Sequence, residues 1–490
     1  MSEPYPLAAL VDRLNEARVL CVGDVMLDRF VRGTVDRVSP EAPIPVLRVD
    51  PEHSDTMLGG VGNVAHNVTS LGARAVLISA VGQDAVGSEL MAAARAVPGL
   101  TLEIIPVPGR TTTLKERYAA RGQQLLRVDR ETTAEIGEAA ATAVLAAVER
   151  HLGQCGAVVV SDYGKGVLTE RVLRCILDHA ESAGCPVIID PYGLDYGRYR
   201  GAAVISPNRA ELQLASGLPC QREAEIIAAA RSVMRRWALP CLLVTRSEDG
   251  MSLITTDQAT HFSAQAREVY DVSGAGDTVV ATFAVARALA AAPPLAAALA
   301  NTAAGIVVQK LGTAVVYPED ILAALHETHL RLSDAKVKPL AAAARIVDGW
   351  RRAGQRIGFT NGTFDLLHPG HLSSIRQARS ACDRLVLGLN SDSSVRRYKG
   401  PTRPIQGETA RALVLASIEQ VDLVVIFDDD TPMAVIQALR PDVLVKGADY
   451  RLDQVVGAEF VASYGGKVIL ADLVDGQSTT RTIARMVKKP

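Results

Sequence analysis

Short apolar stretches alternate along the chain with longer segments of helical periodicity. The earlier stretches are ARVLCVGD, ARAVLISAVGQD, GAVVVSDYGKG, PVIIDPYG, AAVISPNRAEL and PCLLVTRSEDG, and each ends in polar or glycine residues. Buried strands that alternate with helices are typical of α/β proteins, in which helices cover both faces of a mostly parallel sheet. Because ligands of such sheets bind beyond the carboxyl ends of the strands, these polar ends are candidate functional positions.

Two segments depart from this rhythm. Residues 29–50 and 111–130 alternate between polar and apolar side chains, as half-exposed antiparallel strands do. We expect them to form a small second sheet.

The strand rhythm weakens after residue 325 and then restarts. The later apolar stretches are RIGFTNGTFD, DRLVLGLNSD, VDLVVIFDDD, PDVLVKGADY and GKVILADLVDG. A chain of 490 residues exceeds one hydrophobic core, and these five strands suit a small Rossmann-like domain. We predict a first domain over residues 1–330, a linker over 331–345 and a second domain over 346–490.

Composition narrows the function classes. The net charge of −2 gives no basic field for nucleic acid or an anionic membrane surface. The seven cysteines form no CxxC pair, which is typical of reduced thiols. The sequence has neither a secretory signal pattern nor an apolar run of about 18 residues. We therefore expect a cytoplasmic protein without nucleic-acid or membrane partners.

The segment DVSGAGDT precedes an apolar helical run. The small residues Gly274, Ala275 and Gly276 permit a tight turn into that helix, so that backbone amides and the helix dipole can face an anion. Asp277 could then take a proton from an acceptor hydroxyl while the amides hold a phosphoryl group. The alternative is that Asp277 only caps the helix.

Two further segments have similar alternatives. The glycines of GGVGN (59–63) could let a polar substrate approach the backbone. Glu211, in NRAE after a strand, could hold hydrated magnesium or simply complete a capped helix start.

The ordered set GDVMLD, GGVGN, VSDYGKG, PNRAE, VTRSEDGM and DVSGAGDT resembles the ribokinase-type (PfkB) sugar kinases over about residues 15–325. That resemblance implies a doubly wound sheet with a small β lid, which in this family often forms a dimer interface. It implies Asp277 as catalytic base, Gly274, Ala275 and Gly276 as anion hole, Asn208 and Glu211 near ATP and Mg²⁺, Thr245 and Gly250 beside the nucleotide, and Asp28, Gly59, Gly60 and Asn63 at the sugar.

The segment TNGTFDLLHPGH (360–371) contains two histidines three residues apart. A zinc site is disfavoured because no third ligand stands at a suitable spacing. A helix starting near Pro369 would place His371 in its first turn, where amides and imidazoles can donate to a phosphate. Two surface histidines without a function are the remaining alternative.

This segment resembles the HxGH nucleotidyltransferases, in which a phosphate monoester attacks the α-phosphorus of a nucleoside triphosphate. The resemblance implies catalytic roles for His368 and His371. It implies nucleotide or phosphate contacts from Thr360, Asn361, Gly362, Thr363, Phe364, Lys399, Arg403, Lys446, Ser478, Thr479 and Thr480.

The whole chain resembles the bifunctional heptose kinase–adenylyltransferases of bacterial lipopolysaccharide synthesis, notably in RGQQLLRVD, SDYGKGVLT, VRRYKGPTRPI and VLVKGADY. The resemblance implies phosphorylation of D-glycero-β-D-manno-heptose 7-phosphate at O1, followed by adenylyl transfer to the 1-phosphate. It implies ATP with Mg²⁺, a homodimer through the lid, and Lys165 or Arg117 at the 7-phosphate. A kinase–transferase acting on another sugar phosphate and a sugar-sensing binding protein are the alternatives.

Overall fold

The structure is a computed structural model that describes residues 4–120, 123–264, 272, 274–310, 314–448 and 450–472. The chain divides into two compact units, Met1–Leu325 and His326–Pro490. The predicted linker, 331–345, contains the end of one helix and the start of the next. Among the described residues, no helix has the length and apolar character needed to cross a membrane.

The first unit combines a large sheet, a small sheet and flanking helices. Its strands are β1 (Arg18–Gly23), β2 (Val25–Val38), β3 (Pro45–Gly60), β4 (Arg74–Gly82), β5 (Leu100–Val107), β6 (Leu114–Ala120), β7 (Gln123–Arg130), β8 (Ala157–Ser161), β9 (Val187–Asp190), β10 (Val204–Ile205), β11 (Cys241–Thr245), β12 (Met251–Thr255) and β13 (Ala259–Phe262). Its helices are α1 (Pro4–Val11), α2 (Val61–Ser70), α3 (Ala85–Arg95), α4 (Glu138–Leu152), α5 (Glu170–Ser182), α6 (Arg209–Ser216), α7 (Glu223–Trp237), α8 (Ala275–Ala288), α9 (Pro293–Val307) and α10 (Pro318–Lys336), the last of which contains the division between the units. Single 3-10 turns occupy Leu14–Glu16, Tyr196–Tyr199 and Ser247–Asp249.

The large sheet has the strand order β13-β12-β11-β10-β9-β8-β1-β4-β5, and all its pairs from β11 to β5 are parallel. Alternate residues of β1 enter the two cores on opposite faces, Val19 and Cys21 on one and Leu20 and Val22 on the other. The six strands predicted from the apolar stretches are all present, so the prediction of a doubly wound sheet is confirmed. Strands β5, β12 and β13 were not predicted. β5 is an edge strand with half-exposed side chains, so it lacks a continuous apolar run.

The small sheet, with the order β3-β2-β6-β7, is named the lid here. β2 pairs antiparallel with β3, and β6 pairs antiparallel with β7. The two hairpins join through a parallel pairing of β2 with β6, which the alternation of side chains does not reveal. β3 ends at Gly60, and the left-handed φ of 59° at this residue lets the chain turn into α2.

The second unit is a five-stranded parallel sheet with the order β16-β15-β14-β17-β18. Its strands are β14 (Ile357–Gly362), β15 (Arg384–Asn390), β16 (Leu423–Phe427), β17 (Val443–Gly447) and β18 (Lys467–Ala471). Its helices are α11 (Leu340–Arg352), α12 (Pro369–Ser380), α13 (Asp392–Lys399), α14 (Glu408–Ala416), α15 (Met433–Leu439) and α16 (Ala458–Ser463), with a 3-10 turn at Leu452–Gln454. All five predicted strands are present, which confirms the Rossmann-like prediction. The strand order reverses at β14, the position at which ligands of such sheets bind.

Gly59 lets β2 and β3 approach closely, because a Cβ there would lie 2.4 Å from Asp28 Oδ2. Gly59→Ala should therefore displace the Asp28 carboxylate and destabilise the fold by about 1–3 kcal/mol. Thermal denaturation should show a lower midpoint for this variant. Gly137→Ala is the matched control, since a Cβ at Gly137 would meet nothing within 4 Å. Equal midpoints for the two variants would contradict this account.

Candidate active sites

Asp277 is the centre of the first site. It lies in the first turn of α8 and is buried. Asn63 Nδ2 donates to Asp277 Oδ2 at 2.6 Å, and the Tyr163 hydroxyl donates to Asp277 Oδ1 at 3.2 Å. The residue that caps α8 is Gly274, with a φ of 77°, so the alternative role of Asp277 as a helix cap is wrong.

A chain of side-chain hydrogen bonds fixes the orientation of Asn63. Thr278 Oγ1 donates to Asn67 Oδ1 at 2.9 Å, and Asn67 Nδ2 donates to Asn63 Oδ1 at 3.2 Å. The Asn63 oxygen is therefore occupied, and its NH₂ group must face Asp277. A buried chain that satisfies each member holds its last donor in one position.

The pKa of Asp277 suits a general base. Burial raises the pKa of Asp277 to about 6, although the hydrogen bonds from Asn63 and Tyr163 act in the opposite direction. The negative charge of Asp28 raises it further, and the positive charge of Lys115 lowers it. The carboxylate is thus mostly ionised at neutral pH, yet more basic than an exposed aspartate.

The predicted anion hole is formed by fewer amides than expected. The Ala275 N–H donates to Val272 O at 3.2 Å and is not available to a ligand in this structure. The N–H groups of Gly276 and Asp277 lie in the first turn and have no acceptor within the helix. A Cβ on Gly276 would meet no atom of the described residues within 4 Å, so none of these residues blocks the space beside the amides.

The predicted sugar-binding residues Asp28, Gly59, Gly60 and Asn63 lie together at the junction of the lid and α2. Asp28 Oδ1 accepts from Arg117 at 2.7 Å. The ammonium of Lys165, which was expected to contact a substrate phosphate, instead pairs with Glu131 at 2.8 Å.

Asp24 shapes the loop that carries Tyr163. Its buried carboxylate accepts from the N–H groups of Tyr163 and Lys165, both at 2.9 Å, and of Val167 at 3.1 Å. This role was not predicted from the sequence, although an Asp directly after β1 was a possible signal.

On the nucleotide side, Asn208 and Glu211 form a capping box at the start of α6. The Asn208 side chain accepts from the Glu211 N–H, and Glu211 Oε2 accepts from the Asn208 N–H at 2.8 Å. The capped helix start, which was the alternative interpretation of NRAE, is therefore present. The surroundings of this helix start are acidic. Burial is the main cause that raises the pKa of Asp190, and the negative charges of Asp277, Glu211 and Asp162 raise it further. Asp190 was not predicted from the sequence.

Thr245 and Gly250 bracket the turn after β11. Thr245 bridges to Asn208, which places the two predicted nucleotide residues side by side. Gly250 has a φ of 88°, and a Cβ there would lie 2.0 Å from Phe262 O. A cavity of about 330 Å³ lies beside this turn, lined by Gln221, Glu223, Ile226, Arg246, Glu248, Asp249, Ser263 and Ala264.

The second site is a cavity of about 680 Å³ in the second unit. Nine predicted residues line it: Thr360, Asn361, Gly362, Thr363, Phe364, His368, His371, Lys399 and Lys446. Ser478, Thr479 and Thr480 lie outside the described residues.

His368 and His371 face each other at the start of α12. Their rings stack with centroids 3.8 Å apart, and the Phe364 ring contacts His371 edge-on at 5.2 Å. Burial, followed by the charges of His368 and Lys399, lowers the pKa of His371 to about 4. Burial also lowers the pKa of His368. Both imidazoles are thus neutral at pH 7 and donate through a single N–H each.

Within the described chain, the Nδ1 atoms of both histidines are buried without a hydrogen-bond partner. Over the same residues, no group of three or more His, Cys, Asp or Glu side chains could hold a metal ion. The pair therefore suits recognition of an anion by neutral donors at a helix N-terminus.

Two lysines approach the same cavity. Lys446 Nζ donates to Asn361 O at 3.1 Å and to its Oδ1 at 3.0 Å. Burial lowers the pKa of Lys399, and Arg403 lowers it further. Arg403 itself donates to Asp365 Oδ2 at 2.5 Å and does not line the cavity, so it supports the loop.

Arg411 holds the loop that follows β14, and this role was not predicted from the sequence. Its guanidinium is fully buried and donates to Thr363 O at 2.6 Å, Gln406 O at 2.9 Å and Asp392 Oδ1 at 2.7 Å. The signal was a charged residue on the apolar face of α14, next to Ala412 and one turn before Leu415.

Comparison with known proteins agrees with this two-site description. The family model of pfkB family carbohydrate kinases matches residues 16–320, and the cytidylyltransferase-like model matches residues 359–480. Bifunctional protein HldE of Paramagnetospirillum magneticum is 54% identical over 98% of this chain and 99% of its own length. That of Rhodospirillum rubrum is 53% identical over 99% of this chain and 98% of its own.

The chain belongs to the HldE family. As an HldE protein it is an enzyme with a carbohydrate kinase domain and a nucleotidyltransferase domain. Its fold is similar to Arabidopsis thaliana ribokinase complexed with ribose and ATP, with a TM-score of 0.51 and 21% identity over 63% of this chain and 98% of that chain. It is also similar to Escherichia coli phosphofructokinase-2, with a TM-score of 0.54 and 17% identity over 64% and 98%. These likenesses show the fold alone and confirm the ribokinase-like prediction.

The pKa of Asp277 predicts how the kinase activity of this HldE protein depends on pH. Protonation inactivates a base, so kcat/KM should be constant above pH 7 and fall about tenfold per pH unit below pH 6. Asp277→Asn should lower kcat by about 10² to 10⁴-fold.

The nucleotidyltransferase activity of the same chain is the internal control. It should fall less than the kinase activity between pH 7 and 5.5, because burial lowers the pKa of both His368 and His371, that of His371 to about 4. A kinase rate that stays constant down to pH 5 would show that Asp277 is not the titrating base.

Proposed function

We propose that the first domain transfers the γ-phosphoryl group of ATP to O1 of D-glycero-β-D-manno-heptose 7-phosphate. The second domain then transfers an adenylyl group from ATP to the heptose 1-phosphate, which gives ADP-heptose and pyrophosphate for lipopolysaccharide core synthesis. The observation that carries this proposal is the presence, in one HldE-family chain, of a buried carboxylate at a helix N-terminus and of a neutral histidine pair in a cavity large enough for a nucleotide.

In the kinase step, Asp277 accepts the proton of the O1 hydroxyl as that oxygen attacks the γ-phosphorus. Asn63 and Tyr163 hold the carboxylate in place during attack. The Asp277 charge and burial of the Tyr163 side chain keep the pKa of Tyr163 well above its ordinary value, so the phenol remains a donor. The amides of Gly276 and Asp277 stabilise charge on the transferred group.

We assign Mg²⁺ to the triphosphate in this site, where the ion would neutralise phosphate charge when bound. Glu211 and Asp190 are two neighbouring acidic groups on that side. Because the Glu211 carboxylate is engaged with the Asn208 N–H, it would reach the ion through water.

In the transferase step, an oxygen of heptose 1-phosphate attacks the α-phosphorus of ATP and pyrophosphate leaves. The reaction needs no protein nucleophile, so the residues act by position and charge. His368 and His371 donate to phosphate oxygens, and Lys446 and Lys399 balance the growing negative charge. Arg411 holds the carbonyl of Thr363 and thereby the loop that surrounds the nucleotide.

We also propose that the protein is a cytoplasmic homodimer that associates through the lid. Several large apolar side chains of the lid and its turn are exposed: Val38, Ile44, Val49, Leu125 and Leu126. A concentration of exposed apolar side chains on one small sheet favours an interface. The seven free thiols and the use of ATP support the cytoplasmic assignment.

Phosphorus NMR tests the two reactions in one sample. With ATP, Mg²⁺ and heptose 7-phosphate, the parent chain should produce an anomeric phosphate signal, and Asp277→Asn should reduce its rate at least 10²-fold. With heptose 1-phosphate instead, the parent should produce ADP-heptose and pyrophosphate. His371→Asn should slow only this second reaction, by about 10²-fold or more.

Each variant serves as the folding control for the other, because each should retain one full activity. Chelation of Mg²⁺ should stop the first reaction. Turnover of a different sugar phosphate, with none of heptose 7-phosphate, would retain the kinase mechanism and overturn the heptose assignment.

Sedimentation velocity tests the homodimer. The parent should sediment as two chains, and Leu126→Lys in the exposed part of the lid should shift the protein towards one chain. Leu214→Lys is the control, since Leu214 is also exposed but lies on α6. A monomeric parent would refute the proposal.

A further inference from the structure

One face of the lid carries a row of charged residues in register. Asp28 on β2 pairs with Lys115 on β6, and Lys115 pairs with Asp129 on β7. Side chains in register on neighbouring strands project from the same face of a sheet. This face is directed towards the kinase site, because Lys115 Nζ lies 5.3 Å from the ring centroid of Tyr163, whose hydroxyl contacts Asp277.

The cations around this row differ in whether they form an ion pair. Arg117 pairs with Asp28 at 2.7 Å, Arg127 pairs with Asp129 at 3.0 Å, and Lys165 pairs with Glu131 at 2.8 Å. The Lys115 ammonium forms no hydrogen bond or ion pair with any residue of the described chain, and it lies 5.3 Å from the centroid of the Tyr163 ring. The two cations first considered for the substrate phosphate, Lys165 and Arg117, are therefore already neutralised, and Lys115 is not.

The environment of Lys115 is unfavourable for an unpaired charge. The side chain is half-buried, and burial is the main cause that lowers the pKa of Lys115. Arg127 and Lys165 lower it further, while Asp28 and Asp129 act in the opposite direction. Removing an ammonium from water without a partner costs free energy, and an incoming anion would recover it.

We infer that Lys115 binds the phosphate group that the acceptor sugar already carries, and so selects phosphorylated sugars. This inference rests on the proposed function, which supplies a sugar phosphate as acceptor. Lys115 lies on the lid beside Asp28, whereas Asn208, Thr245 and the α8 N-terminus form the nucleotide side.

The test compares phosphorylated and unphosphorylated acceptors. Lys115→Met keeps the length of the side chain and removes its charge. For heptose 7-phosphate we expect KM, and Kd measured calorimetrically without ATP, to rise about 10- to 100-fold. At about pH 8, where Asp277 stays ionised without the Lys115 charge, the KM for ATP and the kcat/KM for unphosphorylated heptose should change less than about threefold, and Lys115→Arg should restore most of the affinity.

Arg150→Met is the matched control, since Arg150 forms one ion pair, with Glu103, on the surface helix α4. Lys165→Met tests the rival cation. Equal losses on both acceptors, a raised KM for ATP alone, or a phosphate-selective loss in Lys165→Met and not in Lys115→Met would each overturn the inference. If wild-type protein uses a different sugar phosphate, the proposed function fails, and the same comparison made with that sugar and its unphosphorylated form still decides the role of Lys115.

Discussion

The kinase site depends on keeping an ionised carboxylate in the protein interior. Burial of Asp277 raises its proton affinity, and only two neutral donors, the Asn63 amide and the Tyr163 phenol, contact it directly among the described residues. A full ion pair at that position would stabilise the carboxylate more, but it would also remove its basicity. The surrounding structure meets this requirement indirectly, because Thr278 and Asn67 orient the amide, and Asp24 shapes the loop that supplies the phenol.

The transferase site meets the opposite requirement, because it must hold many negative charges without a protein nucleophile. The histidine pair is neutral at pH 7 as a result of burial, so it supplies oriented hydrogen-bond donors and not positive charge. Charge comes from Lys399 and Lys446, which approach the cavity from the end of α13 and from β17. Two arginines of this unit act differently, since Arg403 and Arg411 are bound to protein acceptors and hold the loops in place.

Much of this organisation could be predicted from the sequence. Apolar strands bounded by polar ends located most of the parallel strands of both large sheets, and Pro369 after His368 located the start of α12. What failed were features that depend on pairing across the fold. The parallel contact of β2 with β6 and the neutralisation of Lys165 by Glu131 join residues whose proximity leaves no periodic signal. The engagement of the Ala275 amide with Val272 is local, but it depends on the backbone conformation of the turn, which the spacing of small residues does not specify. Asp190 and Arg411 were missed because a strand-terminal Asp and a helical Arg look ordinary until their burial is known.

The three hydrogen-bond acceptors of Arg411, here called the Arg411 clamp, determine which positions around this loop can be substituted. Two of its three acceptors are main-chain carbonyls, those of Thr363 and Gln406, which every amino acid provides. A change of side chain at position 406 therefore leaves the hydrogen bond from Arg411 in place. Position 411 has no such freedom, because no other side chain offers donors in three directions from one planar group. The anchoring of this loop thus depends on one buried side chain of α14 and not on the side chains at positions 363 and 406.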